Sequence, residues 1–173
     1  RFVSDELRGD QYIASVAIQE TYKAFGYVSD DLKENEVWVQ SILSDYTLEI
    51  SNYAIRLEQE SWGIQKIPEL FRYNEALCEI GLSNRGISLE FTPVNIRESA
   101  RLVEIAVRQN GLALEYAGEK LKSDTRVVEV ALKQNGRAVR YVSSMLLDDE
   151  RYRDRLIRKY PSSQSVLREM GYE

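Results

Sequence analysis

Hydrophobic and polar residues recur along this chain with a period of 25. The clearest copies are Ser99 to Leu121, SARLVEIAVRQNGLALEYAGEKL, and Asp124 to Leu146, DTRVVEVALKQNGRAVRYVSSML. An apolar anchor recurs as Leu7, Leu32 and Leu57, and again as Phe71, Ile96, Leu121 and Leu146. The spacing is 25 throughout except between Leu57 and Phe71, where it is 14. A fixed period of about 20–50 residues is the signature of stacked repeat architectures.

Three residues after most anchors stands a small polar residue: Asp10, Asn35, Asn74, Ser99, Asp124 and Asp149. All six are types that cap helix N-termini, where a side-chain oxygen accepts from an unpaired first-turn amide. Apolar columns follow at helical spacing. One runs Ile13, Trp38, Leu77, Leu102, Val127, and a second runs Ala17, Ile42, Gly81, Ala106, Ala131. The apolar stripe is wider than a surface helix needs and suits a helix packed between two neighbours.

Arg85-Gly86, Asn110-Gly111 and Asn135-Gly136 then put glycine at the helix end, where a positive φ costs nothing without a Cβ. A second helix of about seven residues is expected next, with Phe25, Leu89, Leu114 and Val139 facing inward. Helices this short are marginal alone, so the units must stabilise one another by stacking. The expected fold is all-α: stacked two-helix repeats of 25 residues, α-solenoid-like, in one domain over 1–173. A repeat block covers 4–57, an insertion 58–70, a second block 71–147 and a C-terminal cap 148–173. The chain opens at Arg1 rather than Met, which fits a piece of a longer protein.

Composition changes this picture little. Hydrophobic content is 43% and charged content 29%, ordinary for a globular chain. No run nears the ~18 apolar residues of a membrane span, and no signal-peptide pattern opens the chain. The single cysteine, Cys78, falls on a core column. That excludes a disulfide framework and fits a reducing, cytoplasmic setting. Charge is uneven. Residues 1–71 carry 6 basic against 13 acidic residues, and 72–173 carry 17 against 15. The net −5 disfavours nucleic acid and anionic membrane as partners. The acidic first block reads as a well-solvated surface, the alternative being one that a basic partner would meet.

There is no histidine, which removes histidine triads, histidine metal ligands and the usual general base. One cysteine cannot build a thiolate zinc site. No phosphate-loop, dinucleotide or HExxH pattern is present, so no cofactor and no metal are expected. A carboxylate-only enzyme is the remote alternative, with nothing to single out a pair: Glu90 and Glu115 share a column that Arg140 occupies next. Glu104–Arg108 and Glu129–Lys133 have the i, i+4 spacing of surface ion pairs. The Tyr27, Tyr116, Tyr141 column reads as inter-repeat packing, and the Asn110 and Asn135 turns as helix ends. Glu150 to Tyr160 reads as a capping helix with Tyr152, Leu156 and Ile157 buried.

The insertion, Glu58 to Leu70, reads EQESWGIQKIPEL and is the least repeat-like stretch. Function concentrates in loops carried on rigid scaffolds, so Trp62, Ile64 and Ile67 are the expected partner-binding residues. In the competing reading, Trp62 and Ile67 fold back and seal the junction between the blocks.

The stretches VEIAVRQNGLALEYAGEKLKSD and VEVALKQNGRAVRYVSSMLLDD resemble the domain-of-unknown-function family numbered 4116, strongest over 99–149. Its units read roughly V-x-x-A-V-x-x-N-G-x-A-L-x-Y-A. The resemblance implies an all-helical tandem repeat and supplies no catalytic residue. The expected function is a non-enzymatic protein-protein interaction module with a protein partner. The alternative is a structural or regulatory segment of a larger multidomain protein.

Overall fold

The computed structural model describes residues 4–172, and every element among those residues is helical. The opening Arg1 lies outside them. Four of the five ten-residue α-helices among the described residues, called the long helices below, run Glu75–Asn84, Ala100–Gln109, Thr125–Gln134 and Glu150–Lys159. The first three are each followed by a six-residue 3₁₀ helix: Gly86–Phe91, Gly111–Tyr116 and Gly136–Tyr141. A short α-helix comes next: Val94–Glu98, Glu119–Lys122 and Ser144–Leu147.

The second helix expected from the sequence is therefore two elements. The 3₁₀ bonds close over three residues, as in Ala113 N–H to the Asn110 carbonyl at 2.9 Å and Ala117 N–H to the Leu114 carbonyl at 3.2 Å. Extended backbone at Thr92, Ala117 and Val142 then ends each 3₁₀ helix. Runs of 3₁₀ helix stay short because their hydrogen-bond geometry is poorer than that of the α-helix.

The caps behave as their residue types require. Asp10, Asn35, Asn74, Asp124 and Asp149 each accept from a first-turn amide, for example Leu77 N–H to Asn74 Oδ1 at 3.1 Å. Ser99 makes no such bond.

The glycines at the turns have a different reason from the one their position suggests. Gly171 is the one described glycine with a positive φ. At Gly86 a Cβ would overlap the carbonyl oxygen of Ala106, and at Gly111 that of Ala131. Glycine is required there because the next long helix lies against its backbone. The small column (Gly81, Ala106, Ala131) is the other side of the same approach: all three are buried.

The N-terminal half keeps this order without the Asn-Gly signature. Helix Gln11–Glu20 is followed by 3₁₀ helix Tyr22–Tyr27 and short helix Asp30–Lys33. The next stretch departs from it. After Glu36–Ser44, one fourteen-residue helix, Thr47–Glu60, replaces the 3₁₀ and short helices. The first three residues of the expected insertion thus belong to a helix, and 3₁₀ turns at Ile64–Lys66 and Glu69–Tyr73 carry the rest.

One hydrophobic cluster runs from Ala14 to Leu167. Helix Ala100–Gln109 contributes four buried residues, Leu102, Val103, Ala106 and Val107, and packs on the long helices before and after it. Where the halves meet, the rings of Tyr22, Tyr46 and Tyr53 surround Phe71 at centroid distances of 5.3, 5.8 and 5.1 Å. The anchor column is buried at Leu32, Leu57, Phe71, Ile96 and Leu121. In the last copy burial shifts by one residue, to Leu147, with Leu146 half-buried.

Candidate interaction surface

The long helices bury one side and present the other. On the exposed side, cations and carboxylates from successive helices interlock. Arg101 pairs with Glu79 and Glu75 of the helix before it, Arg126 lies 3.6 Å from Glu104, and Lys159 lies 2.6 Å from Glu129. Hydrogen bonds to Glu79 and then Glu75 push the Arg101 guanidinium above its ordinary range. Glu104–Arg108 forms as the spacing predicts. Glu129 does not choose Lys133. It turns to Lys159 and Arg155 of the following helix, because two cations there lie within 4 Å, and two opposite charges outweigh one at the same range.

Two shallow grooves run between these helices, and a third lies along Glu150–Lys159 alone. One of about 550 Å³ is lined by Ser83, Arg101, Glu104, Ile105, Arg108 and Gln109. A second, of about 380 Å³, is lined by Arg108, Val130, Lys133 and Gln134. The third, of about 410 Å³, is lined by Arg151, Asp154, Arg155, Arg158 and Lys159. Ser83, Arg108, Lys133 and Arg158 share one register position, 25 residues apart, and Ile105 and Val130 share another. The first two grooves therefore have an apolar side chain in a charged rim. The sequence carried the signal for this row, since its charges recur at period 25, but the pairing between helices is a property of the packing.

The residues expected to bind a partner are placed elsewhere. Ile64 and Ile67 are 0% and 1% exposed. Ile64 fills the space beside Gly81, where a Cβ would overlap its Cδ1. Trp62 is half-buried against the core, with the Arg56 guanidinium 5.8 Å from its ring. The segment is stitched down by Asn84 Nδ2 donating to the carbonyls of Leu57 at 2.7 Å and Trp62 at 3.3 Å. Ser88 donates to Gln65 Oε1 at 2.7 Å. Ile64 and Ile67, expected to bind a partner, are thus buried within the junction: an apolar side chain gains more there than in water, and the stretch packs on the core.

The other candidate features resolve as structural. Asn110 and Asn135 turn inward to cap the 3₁₀ helices, accepting from Leu112 and Arg137 N–H at 3.1 and 3.0 Å. Tyr116 and Tyr141 pack half-buried, while Tyr27 is 74% exposed. In the helix Glu150–Lys159, Tyr152 and Leu156 are buried and Ile157 half-buried. Cys78 is buried and donates through Sγ to the Arg72 carbonyl at 3.0 Å. Burial, with a contribution from Glu75, pushes its thiol up to about 12, so it is not a nucleophile near neutral pH. Among the described residues no cluster has the composition of a metal site, and no helix is long and apolar enough to cross a membrane.

No curated protein and no solved structure matches the chain. One family model does, and it covers most of the two best copies of the unit, with Ile105 and Val130 among its residues. Residues 101–147 match the family described as Domain of unknown function (DUF4116), the family that the Asn-Gly motif resembles.

Proposed function

We propose that the chain is a non-enzymatic protein-interaction module, an α-solenoid-like stack of 25-residue units that engages a protein partner along the exposed side of its long helices. The observation that supports this is the recurrence of one groove chemistry at successive helix junctions. Ile105 and Val130 sit half-buried, each beside a cation at the same register position, Arg108 and Lys133. Stacked arrays commonly bind through such extended surfaces. Aromatic or aliphatic anchors in grooves carry most of the energy at an interface, while charged rims set orientation and on-rate. The matching partner segment presents an apolar side chain to each floor and carboxylates to Arg108 and Lys133. A cytoplasmic setting goes with this reading.

The test compares capture from source-cell lysate by the native chain and by Ile105→Asp/Val130→Asp, after circular dichroism shows equal helicity. A partner retained by the native chain and lost by the variant supports the reading. The same partner held equally by both removes this surface from it.

A further inference from the structure

Among the described residues, the N-terminal end of the array is a largely apolar face that helix Asp5–Arg8 covers only in part. A groove of about 420 Å³ lies there, lined by Leu7, Ile13, Ala17, Ala24, Tyr27 and Val28 together with Ala14 and Arg8. Three of these positions, Ile13, Ala17 and Ala24, have equivalents at the period of 25 in the second half that are buried there, while Val28 is buried in both halves. Ile13 is 40% exposed, whereas Leu102 and Val127 are 0% and 3% exposed. Ala17 is exposed, whereas Ala106 and Ala131 are fully buried. Ala24 is half-buried, whereas Ala113 and Ala138 are fully buried.

What covers the interior positions is known from the same structure. The backbone of Gly86 lies against Ala106, and that of Gly111 lies against Ala131. In each case the cover is the preceding long helix and its 3₁₀ helix. The first unit already has the third element of such a cover. Helix Asp5–Arg8 holds the place of Val94–Glu98 and Glu119–Lys122: Ser29 N–H donates to the Arg8 carbonyl at 3.1 Å, as Gly118 donates to Arg97 at 2.8 Å and Ser143 to Lys122 at 3.0 Å. The residues before it keep the register in sequence, since Arg1-Phe2-Val3-Ser4 reads against Arg140-Tyr141-Val142-Ser143. The face is also built to receive the same kind of element. Ala17, Ala24, Tyr27 and Val28 are identical to Ala131, Ala138, Tyr141 and Val142.

We infer that this face is an unfilled unit-to-unit interface and that its occupant is one further unit of the repeat: an α-helix and a glycine-initiated 3₁₀ helix joined in register ahead of Ser4. A second copy of the chain is the poorer occupant. Stacking two such faces would oppose two N-terminal regions that each carry net negative charge, and like charges across an interface disfavour the pairing. The inference rests on the stacked-repeat reading above and extends it beyond partner binding.

The test is hydrogen–deuterium exchange on the native chain and on a chain in which a copy of Ser99–Ala117 replaces Arg1–Val3, which preserves register. Exchange in residues 11–20 slows at least tenfold in the extended chain, with light scattering showing both chains monomeric. The same extension with Gly111→Ala in its copy gives no slowing, because the added Cβ meets the Ala17 carbonyl. Equal exchange in the native and extended chains overturns the inference, as does equal slowing by both extensions. A native dimer in which 11–20 is already protected also overturns it, in favour of a second copy. The native chain alone tests the parent reading: if 100–109 and 125–134 exchange as fast as 11–20, the stacked repeat itself fails.

Discussion

The backbone N–H of Gly86 donates to Oε1 of Gln109 at 2.7 Å, and Nε2 of the same glutamine donates back to the Asn84 carbonyl at 3.1 Å. Gln134 makes the same two-way bridge one unit later, to Gly111 N–H at 2.5 Å and the Gln109 carbonyl at 3.4 Å. Each letter of the Gln-Asn-Gly triplet therefore has its own task. The glutamine reaches back to the previous turn, the asparagine caps its own 3₁₀ helix, and the glycine admits the next helix.

Gln134→Ala removes the acceptor for the N–H of the buried Gly111. An unsatisfied buried donor costs about 1–3 kcal/mol, so the unfolding free energy falls by that amount and the urea midpoint falls with it at unchanged slope. Lys133→Ala, one residue away and exposed, changes stability by no more than about 0.5 kcal/mol. Equal losses from the two variants would remove the bridge from the account.

Glycine substitutions separate close approach from backbone freedom. Gly111→Ala places a methyl on the Ala131 carbonyl and costs about 1–3 kcal/mol as overpacking does. Gly26→Ala meets nothing nearer than Glu69 Oε2 at 3.7 Å and leaves stability unchanged or raised by up to about 1 kcal/mol. Thermal unfolding of the two variants side by side checks the contrast.

At the junction, Ile64→Ala empties a fully buried site beside Gly81. Loss of a buried isoleucine to alanine costs about 2–5 kcal/mol, so this variant loses stability whether or not a partner is present. A variant with unchanged stability and lost partner capture would restore the segment as a binding site.

High pH weakens the fold. Burial raises the Cys78 thiol and the Tyr73 and Tyr53 hydroxyls each to about 12, from ordinary values of 9.0 and 10.0. For an acid raised in this way the native state holds the proton more tightly than the unfolded state, so stability falls as pH rises. The contribution is complete below about pH 9 and is lost between there and about pH 12. Urea midpoints measured at about pH 7, 9 and 10.5 decline in that order, and Cys78→Ala flattens the first part of the decline. A midpoint that holds steady across this range contradicts the burial of these groups.

The sequence read well where local signals decide structure. The caps at Asn74, Asp124 and Asp149 announce the long helices, and the apolar columns at Leu102 and Ala106 mark the buried side. It read poorly where neighbours decide. The 3₁₀ helix after Asn110 has the inward spacing of an α-helical turn over so few residues, so periodicity does not distinguish the two. Gly111 looks like a positive-φ terminator, because the carbonyl that excludes a Cβ comes from Ala131, twenty residues away. Ile64 and Ile67 look like a sticky loop because the cavity that takes them is made by helix Glu75–Asn84 and its neighbours. For the same reason the grooves at Ile105 and Val130 show in the sequence only as positions that recur at the period of 25.

The central claim is that the exposed side of the long helices is where a partner sits. Photo-crosslinking tests it directly, with a benzophenone side chain placed singly at Ile105, at Val130 and at Met145, which is 79% exposed on a short helix. The account predicts one shared protein adduct from Ile105 and Val130 and none from Met145. An adduct from Met145 alone, or none from any of the three positions, would contradict it.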